Sequence, residues 1–246
     1  MKVLVCVSHV PDTTSKIRFV NNFTEFDKSE IQYIIGPYDE LALTRALELK
    51  DANKVTNVTV VNVGKADTEP TIRKALAIGA DDAIRIDAEP TDAFFVAAQI
   101  AEVAKKGGYE LIFVGKEAID YNGAQVGDMI AEFMDIESVS ASHIDIENGK
   151  ILLEREIEGG KEKLEAVVPL LATGQKGFAI EPRIANMRGI MASKKKPLQV
   201  VAPVTVENMT VIVKHYEPQK RTACKMISAD NPAELIRLLH EEAKVI

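Results

Sequence analysis

The sequence predicts an α/β fold: a mostly parallel sheet with helices on both faces, to which an antiparallel hairpin and an extended C-terminal arm are added. Two observations predict the sheet. Runs of strand length alternate with helical segments of about 10–15 residues up to residue 134. Two of these segments, 3–7 and 111–114, are apolar at every position, which is typical of parallel strands that are buried on both faces.

Hydrophobic periodicity and stop signals define the predicted elements of the first half. The helices have apolar residues at three- to four-residue spacing, and the strands are short apolar runs. Gly79 and the pair Gly107-Gly108 end two of the helices, because glycine readily adopts the conformation that follows a helix C-terminus. The predicted order is strand 2–7, helix 38–49, strand 55–63, helix 71–78, strand 82–86, helix 92–106, strand 111–114 and helix 124–134.

A hairpin is predicted beyond residue 134. Asn148-Gly149 stands between two alternating segments, 139–146 and 151–157. An Asn-Gly pair between alternating runs is the strongest short hairpin signal. A turn at Gly159-Gly160 then leads into a third predicted strand at 163–168.

The C-terminal quarter has a different character. After a last buried strand at 170–173, residues 198–232 show little periodicity and contain several prolines, which indicates an extended arm. A helix with an apolar face is predicted over 232–244. We therefore expect an α/β domain at residues 1–190 and an arm at residues 191–246. The arm either embraces another subunit or folds back on its own domain.

Composition excludes several functional classes. The 246 residues carry 30 basic and 37 acidic side chains, and the net charge of −7 argues against a nucleic-acid-binding surface. The two cysteines and four scattered histidines lack metal-ligand spacing. No apolar run approaches the ~20 residues that span a bilayer, so we expect a cytoplasmic protein that does not span a membrane. Ser8-His9 has no third group to orient it, and no other catalytic dyad is evident. Any redox chemistry would have to come from a bound cofactor.

One loop has the features of a phosphate-binding segment. Residues 115–127 follow a buried strand, contain three glycines and open a helix, whose N-terminus offers backbone N–H groups to an anion. By itself the pattern also fits an ordinary strand-to-helix turn, because it is neither a P-loop nor GxGxxG. The helix start at Gly36–Asp39 and the strand ends at Cys6–Ser8 and Asn62–Gly64 would ring the same pocket. Together these segments favour a nucleotide site.

A basic loop contains apolar residues. Residues 174–197 carry six basic side chains against one acidic one, a local charge of +5. Met187 lies between Arg183 and Arg188, and no aromatic residue that could stack on bases lies between 184 and 196. Positive charge around an apolar anchor favours docking of an acidic protein partner.

With these segments the sequence resembles the beta subunit of electron transfer flavoproteins, including the relatives linked to nitrogen fixation. The resemblance extends over nearly the whole chain. Its most specific stretches are residues 154–160, EREIEGG, and residues 181–191, EPRIANMRGIM. Further matching segments are 3–7, 10–12, 37–40, 73–81, 115–127, 168–169 and 221–223.

The resemblance implies a Rossmann-like, adenine-nucleotide-binding domain in a non-catalytic electron carrier. In that family an alpha subunit holds most of an FAD, dehydrogenases reduce it, and electrons pass to a quinone oxidoreductase or similar acceptor. The beta subunit's crevice holds AMP. Carried over by position, the AMP contacts are Cys6, Gly36, Pro37, Tyr38, Asp39, Val63, Gly115, Lys116, Glu117, Ala118, Ile119, Asp120, Tyr121, Asn122, Gly123, Ala124, Gln125 and Val126, and the docking residues are Arg183, Met187 and Arg188.

Departures from the family pattern leave two possible ligands for the crevice, AMP and a second FAD. Gly36 stands where the family commonly has Asn, and Tyr121-Asn122-Gly123 replaces an acidic or small run. Residues 10–13 and 124–127 are more similar to the electron-bifurcating branch, in which the crevice holds a second FAD. Two other classes also stay open: a nucleotide-sensing α/β module and, more distantly, an adenine-nucleotide hydrolase.

Overall fold

The computed structural model describes residues 1–219 and 224–246, so residues 221–223 of the resemblance lie outside the described residues. Within the described residues, the strands are β1 (Lys2–Cys6), β2 (His9–Pro11), β3 (Phe19–Val20), β4 (Glu25–Phe26), β5 (Tyr33–Ile35), β6 (Asn57–Val63), β7 (Asp82–Ile86), β8 (Leu111–Gly115), β9 (Glu137–Ala141), β10 (His143–Glu147), β11 (Lys150–Ile157), β12 (Gly160–Ala166), β13 (Leu170–Gly174) and β14 (Leu198–Val201). The α-helices there are α1 (Pro37–Asp51), α2 (Glu69–Ile78), α3 (Ala93–Gly107), α4 (Val126–Met134), α5 (Met187–Ser193) and α6 (Pro232–Leu238).

The predicted α/β fold is confirmed. Seven of the described strands form the main sheet, in the order β14-β7-β6-β1-β8-β13-β9, and each neighbouring pair is parallel. From β1 the chain proceeds outward through β6, β7 and β14 on one side, whereas β8, β13 and β9 lie on the other side, so β1 and β8 flank the point where the strand order reverses. In open parallel sheets this switch point is where a binding crevice forms.

Successive side chains of β1 enter two separate cores. Val3 and Val5 pack in the cluster that contains α1 and α2, whereas Leu4 and Cys6 pack in the cluster that contains α3 and α4. Because successive side chains of a strand point to opposite faces, helices cover both faces of the main sheet. Each fully buried aliphatic side chain contributes roughly 1.5–3 kcal/mol relative to exposure, so the two cores hold the strand ends firmly in place.

The helix ends follow the predicted signals. Pro37 occupies the first turn of α1, and Gly79 follows the end of α2 with a φ of +152°. Asp92 caps α3 by accepting a hydrogen bond from the Phe95 N–H at 2.7 Å. The C-terminal helix is shorter than predicted: α6 ends at Leu238, and a π-helical turn continues to residue 243.

The prediction of one strand over 139–146 is wrong. The chain bends at Ser142, so that β9 joins the main sheet and β10 pairs antiparallel with β11. The Ser142 N–H donates to the Glu154 carbonyl at 2.8 Å, and Arg45 Nε donates to the Ile144 carbonyl at 2.8 Å. The predicted hairpin therefore exists, but with β12 it forms a separate three-stranded sheet among the described residues.

The first part of the arm folds back on its own domain. β14 pairs with β7 at the edge of the main sheet, and the Gln99 amide exchanges two 2.8 Å hydrogen bonds with the backbone of Val204. The Asp92 carboxylate accepts hydrogen bonds from the N–H groups of Met209 at 2.7 Å and Thr210 at 2.8 Å. Large apolar side chains that stay exposed further along the arm are Val211, Ile212, Val213, Tyr216, Met226, Leu235 and Ile236.

Candidate functional site

A buried carboxylate joins the strand ends at the switch point between β1 and β8. Asp39, in the first turn of α1, accepts hydrogen bonds from the Ser8 N–H at 2.8 Å and from the Gly115 N–H at 3.0 Å. The Ser8 hydroxyl donates to the same carboxylate. Asp39 thus ties two parallel strands to the start of a helix, across 31 positions of sequence to Ser8 and 76 positions to Gly115.

Burial changes the acid–base properties of this crevice. It raises the pKa of Asp39 to about 6, against the opposing effect of the hydrogen bonds from Ser8 and Gly115, and the nearby Asp120 adds to the rise. Burial also raises the pKa of the Cys6 thiol, with a further contribution from the charge of Asp39. Cys6 is therefore a protonated thiol in the core, and Asp39 holds the shape of the crevice.

Two glycines allow α1 to approach the strand ends. A Cβ atom at Gly36 would lie 2.5 Å from the Ser8 hydroxyl oxygen, and one at Gly115 would lie 2.9 Å from both the Asp39 nitrogen and the Tyr38 Cβ. A side chain at either position would displace the hydrogen-bonded Asp39 or its neighbours. The crowding at Ser8 is a physical reason for glycine at position 36.

Two helices begin beside the crevice without side-chain caps. α1 starts at Pro37 and α4 starts at Val126, and no described side chain caps either start. Gly127 packs closely on Thr173, which places the start of α4 beside the end of β13. The first N–H groups of a helix lack partners within the helix, and the helix dipole makes them favourable for an anion. These N–H groups are the donors that a phosphate requires.

The loop between β8 and α4 extends from the crevice toward solvent. The Asn122 N–H donates to the Ala118 carbonyl at 2.9 Å, and Asn122 and Ala124 both have a φ of +49°. The Tyr121 side chain is 70% exposed, so its ring does not fill the crevice. The loop positions that are exposed are Lys116, Asp120, Tyr121, Asn122, Gly123, Ala124 and Gln125, and those that are half-buried are Glu117, Ala118, Ile119 and Val126.

The structure thus brings part of the predicted nucleotide-contact set together at the carboxyl ends of the central strands. The Gly115 N–H donates to the Asp39 carboxylate, and the charge of that carboxylate acts on the Cys6 thiol. Val63 ends the strand next to β1 and packs in the same core as Cys6. The remaining predicted contacts lie on the helix starts and on the loop before α4. No local signal joins these residues, because strand order alone makes them neighbours.

Ser8 and His9 do not form a catalytic pair. Nδ1 of His9 lies 2.7 Å from the Thr71 hydroxyl oxygen, and the imidazole stacks on the Tyr33 ring at a centroid distance of 4.1 Å. Burial lowers the pKa of His9. The group that orients Ser8 is Asp39. The sequence places both segments at the same pocket, but no local pattern pairs these two side chains across the 30 residues that separate them.

The predicted docking residues lie on α5 and in the segment before it. Met187 is the first residue of α5 and its side chain is 74% exposed. Arg188 is exposed as well. Arg183 is held in place by two hydrogen bonds. Its guanidinium donates to the Asp51 carboxylate at 2.7 Å, and its backbone N–H donates to the Thr44 hydroxyl at 2.9 Å.

The described part of the chain offers neither a metal centre nor a membrane anchor of the helical kind. Among these residues, no group of three or more His, Cys, Asp or Glu side chains is arranged to hold a metal ion. None of the described helices combines the length and the apolar character that a bilayer span requires.

Comparison with known proteins identifies the family. A family model for the electron transfer flavoprotein domain matches residues 24–206. The electron transfer flavoprotein subunit beta of Homo sapiens is 32% identical over 255 aligned positions, which cover 100% of this chain and 99% of that protein. The subunits of Bradyrhizobium diazoefficiens and Bacillus subtilis are 34% and 33% identical, and both alignments cover 100% of each chain. The chain belongs to the beta-subunit family of electron transfer flavoproteins.

Membership in the electron transfer flavoprotein family assigns the chain to electron transport, as a carrier rather than a classical enzyme. The range matched by the family model contains α1, the loop after β8 and α5. The full-length relatives add β1, the strand that carries Cys6. Both regions described above therefore lie within the part of the chain that its relatives share.

Proposed function

We propose that this chain is the beta subunit of a heterodimeric electron transfer flavoprotein, with AMP in the crevice and FAD held mainly by an alpha subunit. In this role it carries electrons from dehydrogenases to a quinone oxidoreductase or a similar acceptor. The observation that carries the proposal is a full-length match to beta subunits in a chain whose sheet switch point, the usual place of a ligand crevice in open parallel sheets, lies beside two uncapped helix starts. Bound flavin supplies the redox chemistry, and this chain supplies nucleotide binding and a docking surface.

The donors at the crevice suit a nucleotide phosphate. The N–H groups at the starts of α1 and α4 would hold it, and the exposed Lys116 ammonium would add a charge-assisted hydrogen bond. Cys6 and Val63 supply apolar surface for the base at the ends of neighbouring strands. The Asp39 oxygens accept hydrogen bonds from Ser8 and Gly115, and no described side chain caps α1, so Asp39 does not occupy the N–H groups at the start of α1.

A second candidate is an electron-bifurcating subunit, with FAD in the same crevice. The exposed Tyr121 supports this candidate, because a ring that points to solvent leaves room for a ligand larger than AMP. The resemblance of residues 10–13 and 124–127 to the bifurcating branch points the same way.

Nucleotide content of the purified alpha–beta complex separates these candidates. We expect the denatured complex to release one FAD and one AMP. Two FAD and no AMP would support the bifurcating candidate, AMP without flavin would support a nucleotide-sensing module, and the absence of both would refute all three. Lys116→Gln should lower AMP affinity about tenfold, the effect of losing one charge-assisted bond, while Lys105→Gln on α3 should not. The affinity is measured by calorimetric titration of nucleotide-depleted complex.

The arm supports the proposed alpha-subunit partner. Val211, Val213 and Tyr216 are each nearly four-fifths exposed, and Ile236 on α6 is 60% exposed. Contiguous exposed apolar side chains of this kind mark an interaction surface. The domain at 1–190 would bind the nucleotide, and the arm at 191–246, beyond its attachment to β7 and α3, would contact the alpha subunit.

Met187 is proposed as the anchor that docks dehydrogenases, with Arg183 and Arg188 steering acidic partners. Met187→Ala should raise the Kd for a dehydrogenase about 30-fold, corresponding to about 2 kcal/mol, without changing the flavin spectrum or subunit assembly. Stopped-flow flavin reduction measures this, and Met209→Ala, another exposed methionine, is the matched control. Normal kinetics with a lowered melting temperature would show instead that Met187 stabilises its own loop.

A further inference from the structure

The helix that carries Met187 exposes a second methionine on the same side. α5 has seven residues, and Met187 and Met191 are four positions apart on it. Residues at this spacing lie above one another on one face of a helix. The Met191 side chain is 69% exposed, close to the 74% of Met187. The outward face of α5 therefore presents two flexible thioether side chains, and not Met187 alone.

The opposite face of α5 is fixed against α2. Gly189 lies so close to α2 that a Cβ atom there would collide with the Ala77 carbonyl oxygen, and Ser193 is buried. A helix of seven residues is too short to be stable alone, so these contacts hold it. Asn186 caps the helix by accepting a hydrogen bond from the Gly189 N–H at 2.8 Å. This packing directs Met187 and Met191 toward solvent.

An arginine secures the far end of α5. Nη1 of Arg73, on α2, donates to the carbonyl of Ser193 at 2.7 Å and to that of Lys196 at 2.9 Å. The Lys196 ammonium donates in return to the Leu76 carbonyl of α2 at 2.9 Å. The segment from α5 to residue 196 is therefore pre-organised, which lowers the entropy lost when a partner binds.

The charged side chains nearest the two methionines along the chain are basic. Arg188 follows Met187 by one residue, and Lys194 follows Met191 by three; both side chains are exposed. The surrounding segment, residues 174–197, has a charge of +5 in a chain of net charge −7. A partner that covers this face must therefore present carboxylates around its apolar surface.

We propose that Met187 and Met191 form a two-point anchor that enters a single apolar socket on the electron-donating dehydrogenase, whose rim carries carboxylates opposite Arg188 and Lys194. This inference rests on the proposed docking function and extends it with a second anchor and a description of the socket. Methionine suits a surface that must fit several partners, because its unbranched side chain adapts to sockets of different shape.

Stopped-flow reduction of the alpha–beta complex by its dehydrogenase tests the proposal. Met191→Ala should raise the Kd about tenfold, and Met191→Leu should stay within about threefold of the wild type. The double variant Met187→Ala/Met191→Ala should lose less than the product of the two single effects, because the two side chains share a socket. Ile184→Ala is the matched control: this side chain is 89% exposed but lies outside α5.

Each outcome decides one part of the proposal. If Met187→Ala weakens docking and Met191→Ala does not, the two-point anchor is overturned and the proposed docking function stands. If neither variant has an effect, both are overturned. Strictly multiplicative effects would overturn the shared socket, and an equal loss in Ile184→Ala would indicate a general apolar patch. Lys194→Gln should also reduce the salt dependence of the association rate, and an unchanged dependence would refute the carboxylate rim.

Discussion

Replacing Asp39 by asparagine tests whether one buried carboxylate holds the crevice together. Asparagine has nearly the same shape, but it offers one acceptor oxygen in place of two. The Asp39 carboxylate accepts hydrogen bonds from Ser8 on one oxygen and from Gly115 on the other. The variant must therefore leave at least one of these buried donors without an acceptor.

The size and sign of the effect depend on pH. Burial raises the pKa of Asp39 in the folded state to about 6, from 3.8 in the unfolded chain. A raised carboxyl pKa favours the folded state at low pH, and this contribution is lost as pH rises through the folded pKa. This rise in the pKa of Asp39 corresponds to on the order of 3 kcal/mol. The free energy of unfolding of the wild type minus that of Asp39→Asn should fall by this amount between pH 4 and pH 7.

Urea denaturation of both proteins at matched concentration, repeated from pH 4 to pH 8, measures this difference. A difference that stays constant with pH would refute the raised pKa, and one that grows with pH would show that hydrogen bonding outweighs burial at Asp39. Asp12→Asn is a control of opposite sign, because hydrogen bonds from Thr14 lower the pKa of Asp12. The unfolded pKa of Asp12 is 3.8 and its folded pKa is lower, so in a series extended below pH 4 the wild type should gain stability relative to that variant as pH rises toward 4, and it should gain little between pH 4 and pH 8.

Two further substitutions test the packing on which the proposals depend. Gly189→Ala places a methyl group against the Ala77 carbonyl oxygen, so amide hydrogen exchange in α5 should accelerate and dehydrogenase docking should weaken several-fold; unchanged exchange would contradict the close packing of α5 on α2. Gln99→Leu leaves both the N–H and the carbonyl of Val204 without their partner, so the free energy of unfolding in urea should fall by about 1–3 kcal/mol; an unchanged value would show that the arm is not anchored at this point.

Local signals were sufficient for most individual elements. The predicted strand at 82–86 has the observed bounds, and the helix starts and stops at Pro37, Asp92 and Gly79 are where expected. These features depend on periodicity, on caps and on glycine or proline conformations, all of which act over a few residues. The exposed Met187 was likewise visible from its immediate context of basic residues.

Tertiary structure determined the features that depend on contacts between residues far apart in the sequence. It bent the chain at Ser142, because the partners of that bend are Glu154 and Arg45 on other elements. It also joined Ser8, Asp39 and Gly115, and by packing Gly189 on α2 it turned the helix face that carries Met187 and Met191 toward solvent. Strand order and helix orientation are set by which distant apolar surfaces bury each other, and that choice depends on the whole chain at once.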